Sequence, residues 1–182
     1  MNMNLPDHLA AGKILIADGA TGTMLMSAGL SPGMAPELWN VEQPEKIIQL
    51  HRAYLEAGSQ IILTNTFGGS SIKLETAGAA DRARELNLAA GRLARQAAGE
   101  KAFVAGDIGP SGKLMHPLGT LTYDQARASF AEQAAALSES GVDAIWVETM
   151  SDLEEARAAV DGAKEATNLP VFCSLSFTRK AR

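Results

Sequence analysis

The chain has 182 residues, of which 46% are hydrophobic and 20% are charged, a composition that is not that of a disordered or disulfide-stapled protein. This length fits one globular α/β domain, and we expect a single domain over residues 1–182. The formal net charge of -5 disfavours nucleic acid and anionic membranes as partners, so a small molecule is the expected ligand.

Five short apolar runs predict β-strands. Each run is almost continuously apolar, which is typical of strands that are buried on both faces of a parallel sheet. The runs cover residues 13–17, 61–63, 102–105, 144–147 and 171–175.

Four helical patterns alternate with these strands. The first begins at Pro44 and ends at Gly58, where proline suits the first helical turn and glycine suits the end. The second covers residues 79–98, the third runs from a capping box at Thr122 to Gly141, and the fourth runs from about residue 152 to about residue 168. This alternation predicts a parallel sheet with right-handed crossovers.

The predicted parallel sheet is either open and doubly wound or closed into a (β/α)₈ TIM-type barrel, and strand spacing alone does not decide between them. Polar or glycine-rich clusters follow directly after the predicted strands, as at residues 18–22, 64–68, 106–110 and 148–150. Because the active sites of barrels lie at the carboxyl ends of all strands, this distribution favours the barrel.

Asp18 and Glu148 are the strongest candidates for ligand binding. Each carboxylate follows an apolar strand, where burial without a partner is unfavourable. Together they could bind an ammonium group, while backbone N–H groups around Gly19 to Gly22 could bind a carboxylate, which points to an amino-acid ligand. The alternative is that Asp18 caps a turn and Glu148 pairs with a structural cation.

Thr64, Asn65 and Thr66 could orient the same ligand from the end of the second strand, or could satisfy local backbone N–H groups instead. Asp107 adds a further carboxylate within a turn-rich segment, residues 106–112. That segment lacks the lysine of a P-loop and opens no helix, which argues against a nucleotide site.

A single cysteine, Cys173, excludes an internal disulfide and leaves too few thiols for the usual structural zinc site. Since it lies within a predicted strand, we expect a buried structural thiol and not a nucleophile. No catalytic residue and no metal ligand set are predicted in this chain. The chain begins without the features of a secretion signal and has no apolar run near the roughly 20 residues that span a bilayer, so a cytoplasmic protein is expected.

Four motifs in a fixed order resemble the homocysteine S-methyltransferase family. They are Asp-Gly-Ala-Thr-Gly-Thr-Met-Leu at 18–25, Thr-Asn-Thr-Phe-Gly at 64–68, Gly-Asp-Ile-Gly-Pro at 106–110 and Glu-Thr-Met at 148–150. The resemblance extends over residues 13–177 and is greatest to the homocysteine-binding domains of cobalamin-dependent methionine synthases.

The resemblance implies a (β/α)₈ barrel in which Asp18 and Glu148 hold the amine of homocysteine and the backbone near Gly19 and Ala20 holds its carboxylate. In the family, three cysteines after strands six and eight bind zinc, which keeps the homocysteine thiol ionised. These ligands are absent from this chain. The methyl donor, methylcobalamin or a folate, would be carried by other modules.

The resemblance therefore implies a methyltransferase domain that transfers a methyl group to homocysteine and forms methionine. The chain would supply about five strands and four helices of the barrel, and we expect it to be inactive alone, either as a truncated chain or as part of a split enzyme. Two alternatives stay open: a non-catalytic subunit that completes a barrel with a separately encoded C-terminal half, and a corrinoid-linked demethylase of the same family.

Overall fold

A computed structural model describes residues 4–177, in which a parallel sheet is covered on one face by helices. The elements alternate as the sequence predicts, with strands of three to seven residues followed by long helices. In chain order they are α1 (Leu5–Ala10), α2 (Thr21–Ser27), α3 (Trp39–Glu42), α4 (Pro44–Glu56), β1 (Ile61–Leu63), α5 (Ser71–Leu74), α6 (Ala83–Ala98), β2 (Phe103–Ile108), α7 (Tyr123–Glu139), β3 (Ala144–Met150), α8 (Leu153–Ala166) and β4 (Val171–Leu175).

The sheet has the strand order β1-β2-β3-β4 within the described residues, and every neighbouring pair is parallel. Ile62 pairs with Val104 and Ile145 pairs with Gly106, so consecutive strands are neighbours in space. Because all strands run in the same direction, their carboxyl ends lie along a single edge. The residues that follow the strands are thereby brought together.

The predicted first strand, residues 13–17, is wrong as a full strand. Only an isolated parallel bridge forms there, between Ala17 and Ile61, beside hydrogen bonds of 2.7 and 3.1 Å from Gln60 and Ile61 to the carbonyl of Ile16. Ile14 is 91% exposed and Ile16 is 60% exposed. The segment pairs with β1 only through its last residues, and the exposed residues before them have no strand beside them in the described part of the chain.

The four long helices α4, α6, α7 and α8 confirm the four predicted helices. The side chain of Thr122 accepts the N–H of Gln125 at 3.3 Å, and the side chain of Gln125 accepts the N–H of Thr122 at 3.1 Å, which completes the predicted capping box of α7. The predicted start of α6 is four residues early, because a 3₁₀ turn, Ala80–Arg82, precedes the helix. Four further helices of four to seven residues lie in the connections described by the structure. They are too short to show an apolar period in the sequence.

The main core lies between the sheet and the long helices. Ile62, Val104 and Ile145 of the sheet belong to one buried hydrophobic cluster with Phe130 and Leu137 of α7. The opposite face of the sheet carries a smaller cluster around Leu5 of α1. None of the helices in residues 4–177 combines the length and apolar character needed to cross a bilayer.

Candidate functional site

A cavity of about 640 Å³ opens where the strands end, at their carboxyl edge. Six of the eight predicted site residues line it, contributed by the segment before α2 and by the ends of the strands. These six are Asp18, Gly19, Ala20, Asn65, Asp107 and Glu148. The structure therefore brings together residues that are up to 130 positions apart in the sequence.

Asp18 follows the isolated bridge and is fixed at both its backbone and its side chain. Its N–H donates to the carbonyl of Ile61 at 3.0 Å, and its Oδ2 accepts the N–H of Leu63 at 3.0 Å. Burial raises the pKa of Asp18 from 3.8 to about 7; the hydrogen bond from Leu63 opposes this rise, and the charge of Glu148 adds to it. The carboxyl group is thus poised to change its charge near neutral pH.

Glu148 lies near the end of β3, where the strand becomes irregular. The next residue, Thr149, has a φ of 59°, a conformation that a β-branched residue rarely adopts, and the pairing of β3 with β4 shifts register between Val147 and Met150. Strained backbone of this kind often accompanies functional residues. Burial also raises the pKa of Glu148.

Asp18 and Glu148 have no structural cation as a partner within the part of the chain that the structure describes. Among residues 4–177, no lysine, arginine or histidine forms an ion pair with Asp18 or Glu148. The alternative in which Glu148 pairs with a structural cation therefore finds no support, although Asp18 does fasten the adjacent strand through Leu63. Both groups can receive a cationic ligand from the cavity.

Thr64 and Thr66 lie behind the cavity wall and connect β1 to β2. Their hydroxyl oxygens are 2.6 Å apart; Thr64 accepts the N–H of Asp107 at 2.9 Å, and Thr66 donates to the carbonyl of Asp107 at 2.7 Å. Both threonines are buried. Their contacts position Asp107 at the cavity.

Asn65 connects the strand end to the first loop. Its Nδ2 donates to the carbonyl of Pro36 at 2.8 Å and to Oδ1 of Asn40 at 2.9 Å, while Nδ2 of Asn40 donates to the carbonyl of Asn65 at 2.9 Å. The side-chain donors of Asn65 are therefore used within the protein. This arrangement fixes the long first loop over the cavity.

Gly19 and Ala20 form the part of the cavity next to Asp18. Their backbone N–H groups donate to no acceptor among the described residues, so they are available to an anionic group of a ligand. A side chain at Gly19 would come within 3.5 Å of the hydroxyl of Tyr54. That distance is an ordinary van der Waals contact, so Tyr54 lies beside Gly19.

Glu37 and Lys73 also line the cavity, and the sequence reasoning missed both. Glu37 is only 4% exposed, and its Oε1 accepts the N–H of Gly68 at 2.6 Å. Burial raises the pKa of Glu37, while its hydrogen bonds and the charge of Lys73 oppose the rise. A glutamate directly after Pro36 in a mostly apolar loop was the available signal, because such a residue needs a buried partner.

A metal site finds no support in the described part of the chain. Within residues 4–177, no group of three or more histidine, cysteine, aspartate or glutamate side chains is arranged to hold a metal ion. The residues present therefore do not fit the zinc site that the family resemblance implies.

Cys173 lies on β4 and is exposed, so the prediction of a buried thiol is wrong. Within the described residues, β4 has a neighbouring strand on one side only.

The chain is similar in sequence to proteins of one known family. The sequence profile of the homocysteine S-methyltransferase family matches residues 15–182. Methionine synthases of Mycobacterium tuberculosis and Mycobacterium leprae are each 35% identical to the chain over 90% and 89% of its length, and the chain spans 15% of the length of each.

Solved structures show the same fold. The homocysteine methyltransferase MmuM of Escherichia coli, in its oxidized form, has a TM-score of 0.77 and 24% identity, with coverage of 94% of this chain and 65% of that chain. Its metallated form has a TM-score of 0.76 and 23% identity, with coverage of 94% and 66%. The predicted TIM-type barrel architecture is confirmed, with the parallel sheet of the described residues as part of it.

Proposed function

Because the chain belongs to the homocysteine S-methyltransferase family, we propose that its cavity binds homocysteine, whose thiol then receives a methyl group to form methionine. The observation that carries this proposal is the pair Asp18 and Glu148. Both carboxyl groups line one cavity and have no cationic partner among the described residues.

The proposed orientation of homocysteine in the cavity follows from complementary charges. Its ammonium group contacts Asp18 and Glu148, and its carboxylate accepts hydrogen bonds from the N–H groups of Gly19 and Ala20. Charge-assisted hydrogen bonds of this kind are stronger than neutral ones. The two ends of the amino acid thereby fix the direction of its side chain.

The remaining predicted site residues act through the structure around this ligand. Thr64 and Thr66 hold the backbone of Asp107 by hydrogen bonds of 2.9 and 2.7 Å. Asn65 holds the first loop. We therefore assign the two threonines and Asn65 a positioning role and Asp107 a direct contact.

In this proposal, the methyl donor and the metal are bound by residues or modules outside the described part of this chain. Zinc in this family keeps the homocysteine sulfur as a thiolate, and the described residues do not supply its ligands. A methylcorrinoid or a folate is the proposed methyl donor, carried by other modules, since the chain spans 15% of the related methionine synthases. What the chain itself contributes is recognition of the amino acid.

Isothermal titration of the full chain with homocysteine tests the proposal. Asp18→Asn and Glu148→Gln remove one charge each and are expected to weaken binding about ten- to one-hundred-fold, equivalent to about 1.4–2.7 kcal/mol. Glu132→Gln is the matched control, because Glu132 is exposed on α7 and does not line the cavity. Undiminished binding in both site variants would refute the assignment.

A further inference from the structure

The cavity contains more carboxyl groups than cations. Asp18, Glu37, Asp107 and Glu148 line it, together with Lys73 as its lysine within the described residues. The ammonium group of a ligand would add one positive charge, which still leaves the cations outnumbered. Neighbouring carboxylates in a buried site disfavour one another's ionisation, which favours a retained proton on one of these groups.

The surroundings of Asp107 distinguish it from its neighbours. Its residue is 6% exposed, and its Oδ1 is buried without a hydrogen-bond partner in the described part of the chain. Asp18, in contrast, accepts the N–H of Leu63 at 3.0 Å, which stabilises an anion. Burial first, and then the charges of Glu148, Asp18 and Glu37, raise the pKa of Asp107 well above its ordinary value, although the backbone N–H of Ile108 opposes the rise.

Asp107 also has little freedom to move toward another donor. Its N–H donates to Thr64 at 2.9 Å, and its carbonyl accepts hydrogen bonds from Thr66 at 2.7 Å and from Nε2 of Gln133 at 3.3 Å. These contacts fix the backbone at the end of β2. The side chain is thereby presented to the cavity from a rigid position.

We propose that Asp107 is a neutral hydrogen-bond donor of the site and that its O–H group binds the carboxylate of the amino-acid ligand. This inference rests on the proposed function. A buried carboxylic acid that keeps its proton can donate a hydrogen bond without adding negative charge. Asp18 and Glu148 then recognise the ammonium group, whereas Asp107 supports Gly19 and Ala20 in recognising the carboxylate.

This division of roles makes the cavity selective for a zwitterion. A ligand that carries only an amine would contact Asp18 and Glu148 but would offer no acceptor to Asp107. 3-Aminopropanethiol is such a ligand, because it is homocysteine without its carboxylate. The contribution of Asp107 should therefore appear with homocysteine and disappear with 3-aminopropanethiol.

Three variants of the full chain separate donor from charge. Asp107→Asn and Asp107→Ser keep a hydrogen-bond donor without a charge, and homocysteine affinity is expected to stay within about three-fold of wild type. Asp107→Ala loses the donor, and homocysteine should bind about ten-fold more weakly, with 3-aminopropanethiol unaffected. If all three variants weaken both ligands, Asp107 is an ionised partner of the ammonium group and the proposal is overturned. Thermal unfolding followed by circular dichroism confirms that each variant is folded.

Infrared spectroscopy gives a second readout that needs no ligand. At about pH 8, the ligand-free protein should show the C=O stretching band of a protonated carboxyl group, and Asp107→Asn should lack it. A wild-type spectrum without the band overturns the proposal. If the band is present but wild-type protein does not bind homocysteine, the proposed function fails while the neutral state of Asp107 stands.

Discussion

Homocysteine binding is expected to weaken about ten-fold between about pH 8 and about pH 6, because the ammonium group of the ligand requires an ionised Asp18. Burial raises the pKa of Asp18 to about 7. The Asp18 carboxyl group is then ionised in about nine-tenths of the molecules at about pH 8 and in about one-tenth at about pH 6. Since the pKa of Asp18 is raised to about 7, the ionised form that binds the ligand is present above this pH and is lost as the pH falls through it.

Isothermal titration at several pH values measures this change directly. In buffers of different ionisation enthalpy, binding near about pH 7 should release about half a proton per ligand. Asp18→Asn should bind weakly with little dependence on pH, whereas Glu132→Gln should follow the wild type. The reasoning is contradicted if the wild-type affinity stays constant between about pH 8 and about pH 6, or if the affinity of Asp18→Asn falls about ten-fold over the same pH range.

Three further substitutions test the structure around the cavity, each by chemical denaturation with the free energy of unfolding as the readout. Asp18→Asn should stabilise the protein by about 2 kcal/mol at about pH 8, because the raised pKa makes the ionised carboxylate unfavourable in the folded state. This gain should vanish at about pH 4, where the carboxyl group of the folded wild type is protonated. A loss of stability in Asp18→Asn at about pH 8 would contradict this prediction. Gly68→Ala should destabilise by about 1–3 kcal/mol, because a Cβ there would lie 2.9 Å from Oε1 of Glu37 and displace its hydrogen bond. Gly22→Ala is its control, since a Cβ at that position meets nothing within 4 Å, and equal losses in the two variants would refute the steric argument. Thr66→Val should cost about 1–2 kcal/mol, because its hydroxyl donates to the end of β2 at 2.7 Å, and an unchanged stability would show that this hydrogen bond is unimportant.

The long helices could be predicted because their signals are local. Pro44 in the first turn of α4 and the capping box at Thr122 lie within a few residues of the helix ends that they define. In α4, α6 and α8, an apolar period over 13 to 16 residues then fixes the covered face. The start of α6 escaped prediction because a 3₁₀ turn continues the same polar pattern upstream.

The first strand failed because pairing is not a local property. Residues 13–17 have the composition of a buried strand, yet their pairing depends on how many residues of β1 lie beside them. Cys173 failed for a related reason, since its exposure follows from the position of β4 beside β3 alone in the described sheet. Sequence composition does not report which strands have neighbours on both sides.

The candidate site was predictable where a carboxylate lies at or just beyond the carboxyl end of an apolar run in the sequence. Asp18, Asp107 and Glu148 all line the cavity as such positions suggest. Glu37 and Lys73 line the same cavity from the first loop and from the short helix α5. Nothing in the sequence around them indicates that these segments turn toward the cavity. Thr64 and Thr66 show the reverse case, because polar residues at a strand end can face the neighbouring backbone.

A crystal structure of the full chain with bound homocysteine tests the central claim most directly. The ammonium group should lie within about 3 Å of the carboxyl oxygens of both Asp18 and Glu148, with the ligand carboxylate at Gly19 and Ala20. An ammonium group bound elsewhere, with Asp18 and Glu148 contacting only solvent, would contradict it.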